Sequence, residues 1–342
     1  MDEKRTELDG LGEFKLIHAL TEKFSNRQSS TIKGVGDDAA VIRINDQESM
    51  CISTDSFLEN IHFNLMYTPF KHLGYKCVVA AISDILAMNV VPRQILVSLS
   101  VSNRFPKEVL DELYEGIHRA CDVYTLDLVG GDLNPSVSGM QITVTAIGVG
   151  KTDKIVYRNG AKETDLIVVS GDLGGAYMGL QILEREKEVW KANPDIQPDL
   201  EGNDYLLERQ LKPEARKDIL QFLEQLHVHP TSMIDLSDGL NSDLFQICEA
   251  SNVGCSIYDD KIPMDPKTTE KAIDFNLDPI TAALNGGDDY ELLFTIPIAD
   301  FDKIKGNPNM SVIGHITDKA SGKMFVDKNG SILPLKAQGW KE

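Results

Sequence analysis

The sequence predicts an α/β protein of two domains. Three observations carry that expectation. The 342 residues, 42% of them hydrophobic, suffice for two packed cores. Short apolar strand-like runs alternate with stretches of helical spacing along the chain. Glycine-rich acidic segments recur beside strands in both halves, from Gly34-Val35-Gly36-Asp37-Asp38 to Gly286-Gly287-Asp288-Asp289.

Composition narrows the function. A 25% share of charged residues is ordinary for a folded chain. The formal charge of −19 argues against nucleic-acid or anionic-membrane binding through a basic surface. Any phosphate substrate must then be met by metals or a few placed cations. No apolar run is long enough to cross a bilayer, and the polar stretch Met1 to Gly10 shows no signal peptide. The five cysteines are odd in number and form no CxxC pair, as expected of small core residues in a reducing, cytoplasmic compartment.

The first domain is expected over residues 1–150. Glu13 to Phe24 has helical spacing, with Phe14, Ile17, Leu20 and Phe24 on one stripe. Ser25 to Lys33 is polar and loop-like. Gly34 to Ala39 fits GxGxxA formally, but a polar loop precedes it and a β-rich segment follows, so a dinucleotide turn is rejected. Val41 to Ile44 and Met50 to Ile52 read as strands around a polar turn. A hairpin centred between Asp46 and Gln47 places Asp38 opposite Asp55, where like charges are unfavourable. Either a hard divalent cation sits between them, or one or both acids point to solvent.

His62, in Glu59-Asn60-Ile61-His62-Phe63, reads as a structural histidine or a ligand-facing one. Phe70 to Met88 is expected to be a helix, with Asp84 on the face of its small apolar side chains. A carboxylate there needs a partner, so a metal is favoured. Gln94 to Val101 reads as a strand and Lys107 to Val123 as an amphipathic helix carrying Tyr114. Leu126 to Val129 is expected to be a short strand ending in a Gly130-Gly131-Asp132 turn, where amides can approach an anion and the acid can hold a cation. Met140 to Gly150 closes the domain as a strand.

The second domain is expected over 151–342. Arg158, in an acidic chain, is a candidate phosphate clamp or an exposed turn residue. Leu166 to Ser170 reads as a buried strand, and Gly171 to Ala176 as a glycine-rich turn opening a helix through Leu183. No GxxxxGK[ST] segment occurs. Glu184 to Asn203 reads as an irregular excursion, and Asp204 to Leu226 as helix broken at Pro213. Met233 to Asp235 is a short strand feeding Leu236-Ser237-Asp238-Gly239 and a helix. Ser237 or Asp238 can cap that helix, which leaves Asp235 unexplained. Asn285 to Phe294 is a glycine turn entering a strand, with its acids expected in solvent. Short strands follow to Leu333, and Trp340 is expected to pack onto its own domain.

In this order, GVGDDAAVI, STDSFLENIHF, AAISDILAMNV, GGD, RNGA, SGDLGGAYMGL, IDLSDGLNSDL and GGDDYELLF resemble the thiamine-monophosphate kinase family, within the superfamily of aminoimidazole ribonucleotide synthetase. The resemblance implies ATP-dependent conversion of thiamine monophosphate to thiamine diphosphate. It implies an N-terminal mixed sheet with helices that pairs across a homodimer, and a sandwich-like C-terminal α/β domain completing the nucleotide and substrate site. By the same resemblance Asp38, Thr54, Asp55, Asp84, Asp132 and Asp235 are Mg²⁺ ligands, joined by Ser53 and Asp238. Tyr114, Gly131, Asp132, Arg158 and Ser237 are nucleotide contacts, and His62, Asp288 and Trp340 lie on the substrate side. Two departures stand out. Asp288 occupies the place of a usual Glu, and Leu133 that of a usual Thr.

Overall fold

A computed structural model describes residues 13–336. It contains two sheets, one in each half of the chain. The first half runs α1 (Glu13–Thr21), β1 (Thr31–Lys33), β2 (Ala40–Arg43), β3 (Glu48–Leu58), α2 (Phe70–Ala87), β4 (Pro92–Val101), α3 (Lys107–Tyr124), β5 (Asp127–Pro135) and β6 (Met140–Lys151). Its strands form one mixed sheet in the order β1-β2-β3-β6-β4-β5. Only β4 and β5 pair parallel, and α3 supplies the crossover between them.

Helix α2 organises this half. From Leu73 to Ala87 every residue except Asp84 is buried, and each large apolar side chain so placed contributes about 1.5–3 kcal/mol. It packs on β3 and β6 on one side and reaches β8 of the second domain on another. Against α3 the backbones nearly touch. A Cβ on Gly74 would lie 2.0 Å from the Leu113 carbonyl, and one on Gly116 1.9 Å from that of Lys71. Any larger residue at either position would force the helices apart.

The second half runs β7 (Leu166–Ser170), α4 (Gly175–Ala192), α5 (Asp204–Leu211), α6 (Lys217–Gln225), β8 (Ser232–Asp235), α7 (Leu240–Ser251), β9 (Gly254–Tyr258), α8 (Pro266–Asp274) and α9 (Pro279–Asn285). It ends with β10 (Leu292–Ile296), α10 (Phe301–Ile304), β11 (Met310–Thr317), β12 (Lys323–Val326) and β13 (Ile332–Pro334). The sheet order is β13-β12-β9-β11-β7-β10-β8. Strands β8 and β10 are buried at every residue because both faces are covered. Met233, Leu292 and Phe294 join the core of the first domain, whereas Ile234 and Leu293 face a second core under α7.

Three expectations are corrected. The β2–β3 register pairs Ala40 with Ile52 and Arg43 with Ser49, which centres the turn on Asp46. Asn45 sets it: its side-chain oxygen accepts from the amides of Gln47 and Glu48, each at 2.9 Å. Continued to the acids, that register would face Asp38 with Thr54, but Asp38 has already left the ladder. Residues 184–192 continue helix α4 instead of forming an excursion. Glu184–Lys187 and Glu188–Lys191 pairs link successive turns, and the buried Glu186 is paired with Arg185. Lastly, Gly130-Gly131-Asp132 is no turn; it lies within strand β5, where a Cβ on Gly131 would meet the Val97 carbonyl at 1.8 Å.

Candidate active site

Three carboxylates from distant points in the sequence converge where the two halves of the chain meet. Asp38 comes from the loop before β2, Asp84 from α2, and Asp235 from the last position of β8. Each offers an oxygen within 4.8 Å of the others. Asp38 and Asp235 are only 6% and 3% exposed. At about 4 Å, each like-charge contact costs roughly 4 kcal/mol near a protein surface. The protonation equilibria respond accordingly. Burial, reinforced by the Asp38 charge, pushes Asp235 up to about 8. Asp84 is driven well above the carboxylate range by burial and then by Asp55, Asp235 and Asp38. Asp38 rises to about 6 through burial, with Arg158 opposing, and burial raises Asp55 to about 6.

Strand β3 presents Ser53 and Asp55 on the face turned to α2, and the Ser53 hydroxyl donates to Asp84. Alternation sends Thr54 to the opposite face, where its hydroxyl meets that of Thr145 at 3.1 Å. Thr54 therefore contributes no side-chain ligand to the cluster. Asp38 Oδ2 is buried and has no hydrogen-bond partner among the described residues. An orphaned anionic oxygen beside two more carboxylates fits a hard divalent cation with oxygen ligands, of the Mg²⁺ kind.

Arg158 closes one side. Its Nη2 donates to Asp38 Oδ1 at 2.8 Å, and its backbone amide donates to Asp37 Oδ1 at 3.0 Å. The adjacent acids thus divide their tasks. Asp37, held also by Lys33 at 3.3 Å, fixes the loop, which leaves Asp38 to face the cluster. The guanidinium is placed to meet an anionic group without leaving the acids.

A cavity of about 410 Å³ is lined by His62 and Asp288, with Phe57, Tyr67 and Tyr290, and Tyr290 lies within electrostatic reach of Asp55 and Asp235. Asp288 is not the solvated turn acid expected from sequence. Lys76 donates to its Oδ2 at 2.9 Å and Tyr290 to its Oδ1 at 2.9 Å. Burial pushes this carboxyl up, but Lys76 outweighs it and the group sits below its ordinary value. For His62, burial lowers the imidazole against the pull of Asp288. The Asp288 loop is strained: Asp288 and Tyr290 have φ of 59° and 51° although neither is glycine. Amides of both donate into the β8 loop, to the carbonyls of Ser237 and Leu236 at 2.8 and 2.9 Å. That stitching fixes Asp288 relative to Asp235. Ser237 and Asp238 are themselves exposed.

Other expected residues lie apart. Asp132 is exposed on β5, three strand steps from β3 across the sheet, or roughly 14 Å. Its carboxylate meets Asn134 at 2.6 Å. Gly131 is beside it, and Tyr114 is exposed on α3. Trp340 lies outside the described residues. Sequence reading also missed Lys76, Arg209 and Arg216. The arginines bind the buried Glu291 under the Asp288 loop. Lys76 did leave a signal, because it is the one basic residue between Leu73 and Ala87 in an otherwise apolar helix.

Comparison with known proteins is consistent along the whole chain. Residues 36–150 match the AIR synthase related protein family, N-terminal domain. The thiamine-monophosphate kinase of Aquifex aeolicus is 31% identical over 336 residues, covering 98% of this chain and 99% of the relative. That of Bacillus subtilis is 30% identical, covering 96% and 99%. The solved structure of AaThiL complexed with AMPPCP and TMP is 28% identical, covers 99% of both chains, and superposes with a TM-score of 0.83. No helix among the described residues is long and apolar enough to cross a membrane. Identity at this level over nearly the full length shows that the chain belongs to the thiamine-monophosphate kinase family.

Proposed function

We propose that this chain transfers the γ-phosphoryl group of ATP to thiamine monophosphate, giving thiamine diphosphate, by direct in-line attack. The observation that carries this reading is the convergence of Asp38, Asp84 and Asp235 beside a cavity lined by His62 and Asp288. Two anionic substrates have to meet in a chain of net charge −19. Asp38, Asp55, Asp84 and Asp235 hold Mg²⁺ in this reading, with Ser53 orienting Asp84 and Asp238 at the rim. Bound Mg²⁺ neutralises phosphate charge and aligns the reacting oxygens. Arg158 meets a phosphate, and the His62–Asp288 cavity holds the thiamine end. The acceptor phosphate is largely ionised near neutral pH, so no strong general base is needed.

Functional assembly is read as a homodimer. The face of the first sheet away from α2 is uncovered and carries Thr54, Ser56, Thr143 and Thr145. All of β5 is exposed, including Leu128, Val129 and Leu133. In this reading a second copy covers these surfaces, and Asp132, Gly131 and Tyr114 serve the acid cluster across the interface. The decisive experiment incubates the protein with Mg-ATP and thiamine monophosphate and looks for thiamine diphosphate. ATP hydrolysis without that product would reject the reading in favour of another ATP-using reaction of the superfamily. Chiral γ-phosphate should show inversion, and retention would reject direct transfer.

A further inference from the structure

A second cleft, of about 580 Å³, opens where the ends of β4 and β6 meet helix α6. It shares no lining residue with the His62–Asp288 cavity and contains none of the clustered acids. Its polar wall is cationic in a chain of formal charge −19. Lys151 and Lys154 stand on one side, His227 and His229 on the other, and Glu224 is the lone carboxylate among the lining residues. The floor is apolar, formed by Leu220 and Leu223.

Two features make this wall more than loose surface charge. Among the described residues neither Lys151 nor Lys154 stands in an ion pair, whereas Lys187, Lys191 and Lys303 do. Both sides of the cleft are also pinned through their backbones. Asn89 donates to the Lys154 carbonyl at 2.9 Å, and Lys303 donates to that of His227 at 3.0 Å. Two ammonium groups without an ion-pair partner among the described residues, beside the apolar side chains of Val91, Leu220 and Leu223, are complementary to one chemistry. We propose that this cleft binds a small organic anion with an aryl or branched alkyl body, its charge on Lys151 and Lys154 and its body on Leu220 and Leu223.

His229 reports occupancy. Burial lowers its pKa, Lys154 lowers it further, and Asp153 works against both. An anion held by the lysines favours the imidazolium, so binding must raise that pKa. Phenyl phosphate is the probe, followed by NMR of the imidazole carbon-bound protons, with His227→Gln and His229→Gln used for assignment. The His229 signal is expected to shift saturably and titrate at higher pH with the probe present. Lys151→Glu combined with Lys154→Glu should weaken binding by about tenfold, since each exposed ionic contact contributes up to about 1 kcal/mol. Lys261→Glu with Lys328→Glu, which changes the net charge equally on a remote surface, should leave binding within about twofold. No saturable shift at either histidine, or equal weakening by both double variants, would overturn the assignment.

Discussion

Removing one charge from the acid cluster should stabilise the metal-free protein and disable the loaded one. Asp235→Asn is the cleanest perturbation, because the residue is 3% exposed and the amide keeps its volume. In the unfolded chain the carboxyl titrates near 3.9. In the folded protein burial and Asp38 hold it at about 8. Between these values the native state keeps a proton that the unfolded state releases. Stability is therefore fully present below about pH 4 and is lost as pH rises through about 8, by roughly 1.4 kcal/mol per pH unit. The full window gives an upper bound of roughly 5–6 kcal/mol, reduced in practice because Asp38, Asp55 and Asp84 share the same protons. Asparagine does not titrate, so the variant should lack this slope. Thermal unfolding in EDTA should show the variant melting several degrees above wild type near pH 8, at about 2–4 °C per kcal/mol. The gap should narrow as pH falls and close near pH 4. Added Mg²⁺ should raise the wild-type Tm more than that of the variant, because binding to the native state alone stabilises it. A variant that melts below wild type at high pH without metal would refute the reasoning.

Four further outcomes test the site and the assembly. Asp55→Asn should fold normally and lose most turnover, since burial already raises this carboxyl beside the cluster; near-normal kcat would remove it from the metal set. Mixing inactive Asp55→Asn and Asp132→Asn proteins should restore up to about a quarter of wild-type activity if sites are shared across a dimer, because half the dimers are mixed and each has one intact site. No recovery after subunit exchange would place both acids in one protomer's site. Lys76→Met should raise KM for thiamine monophosphate and cost about 1 kcal/mol of stability, because the Asp288 side chain is 37% exposed and water takes up much of the unpaired charge; an unchanged KM would separate Asp288 from substrate binding. Finally, Gly131→Ala drives a Cβ into the Val97 carbonyl and should pry β5 from β4, reducing dimer formation in sedimentation.

Most of the acid set was legible from sequence because carboxylates at apolar positions violate ordinary burial. Asp84 stands in a buried helix and Asp235 ends a buried strand, and both stood out on those grounds. Strand Leu166 to Ser170 was read to the residue, since five apolar-rich positions in a row suit a strand covered on both faces. The charged end of α4 was not legible, because its charges are paired along the helix itself, which a loop-like composition does not reveal.

The sequence by itself determined the α/β class, the family, and a surplus of acids at apolar positions. Only the tertiary structure decided which of those acids meet. Alternation on β3 keeps Ser53 and Asp55 and turns Thr54 away. Packing of α2 on β8 brings Asp84 to Asp235 across about 150 residues of chain, while the sheet order leaves Asp132 on the far edge. Lys76 and the strained Asp288 loop were equally a tertiary matter, because the turn acid gains its counter-charge only when helix α2, from the other half of the chain, reaches it.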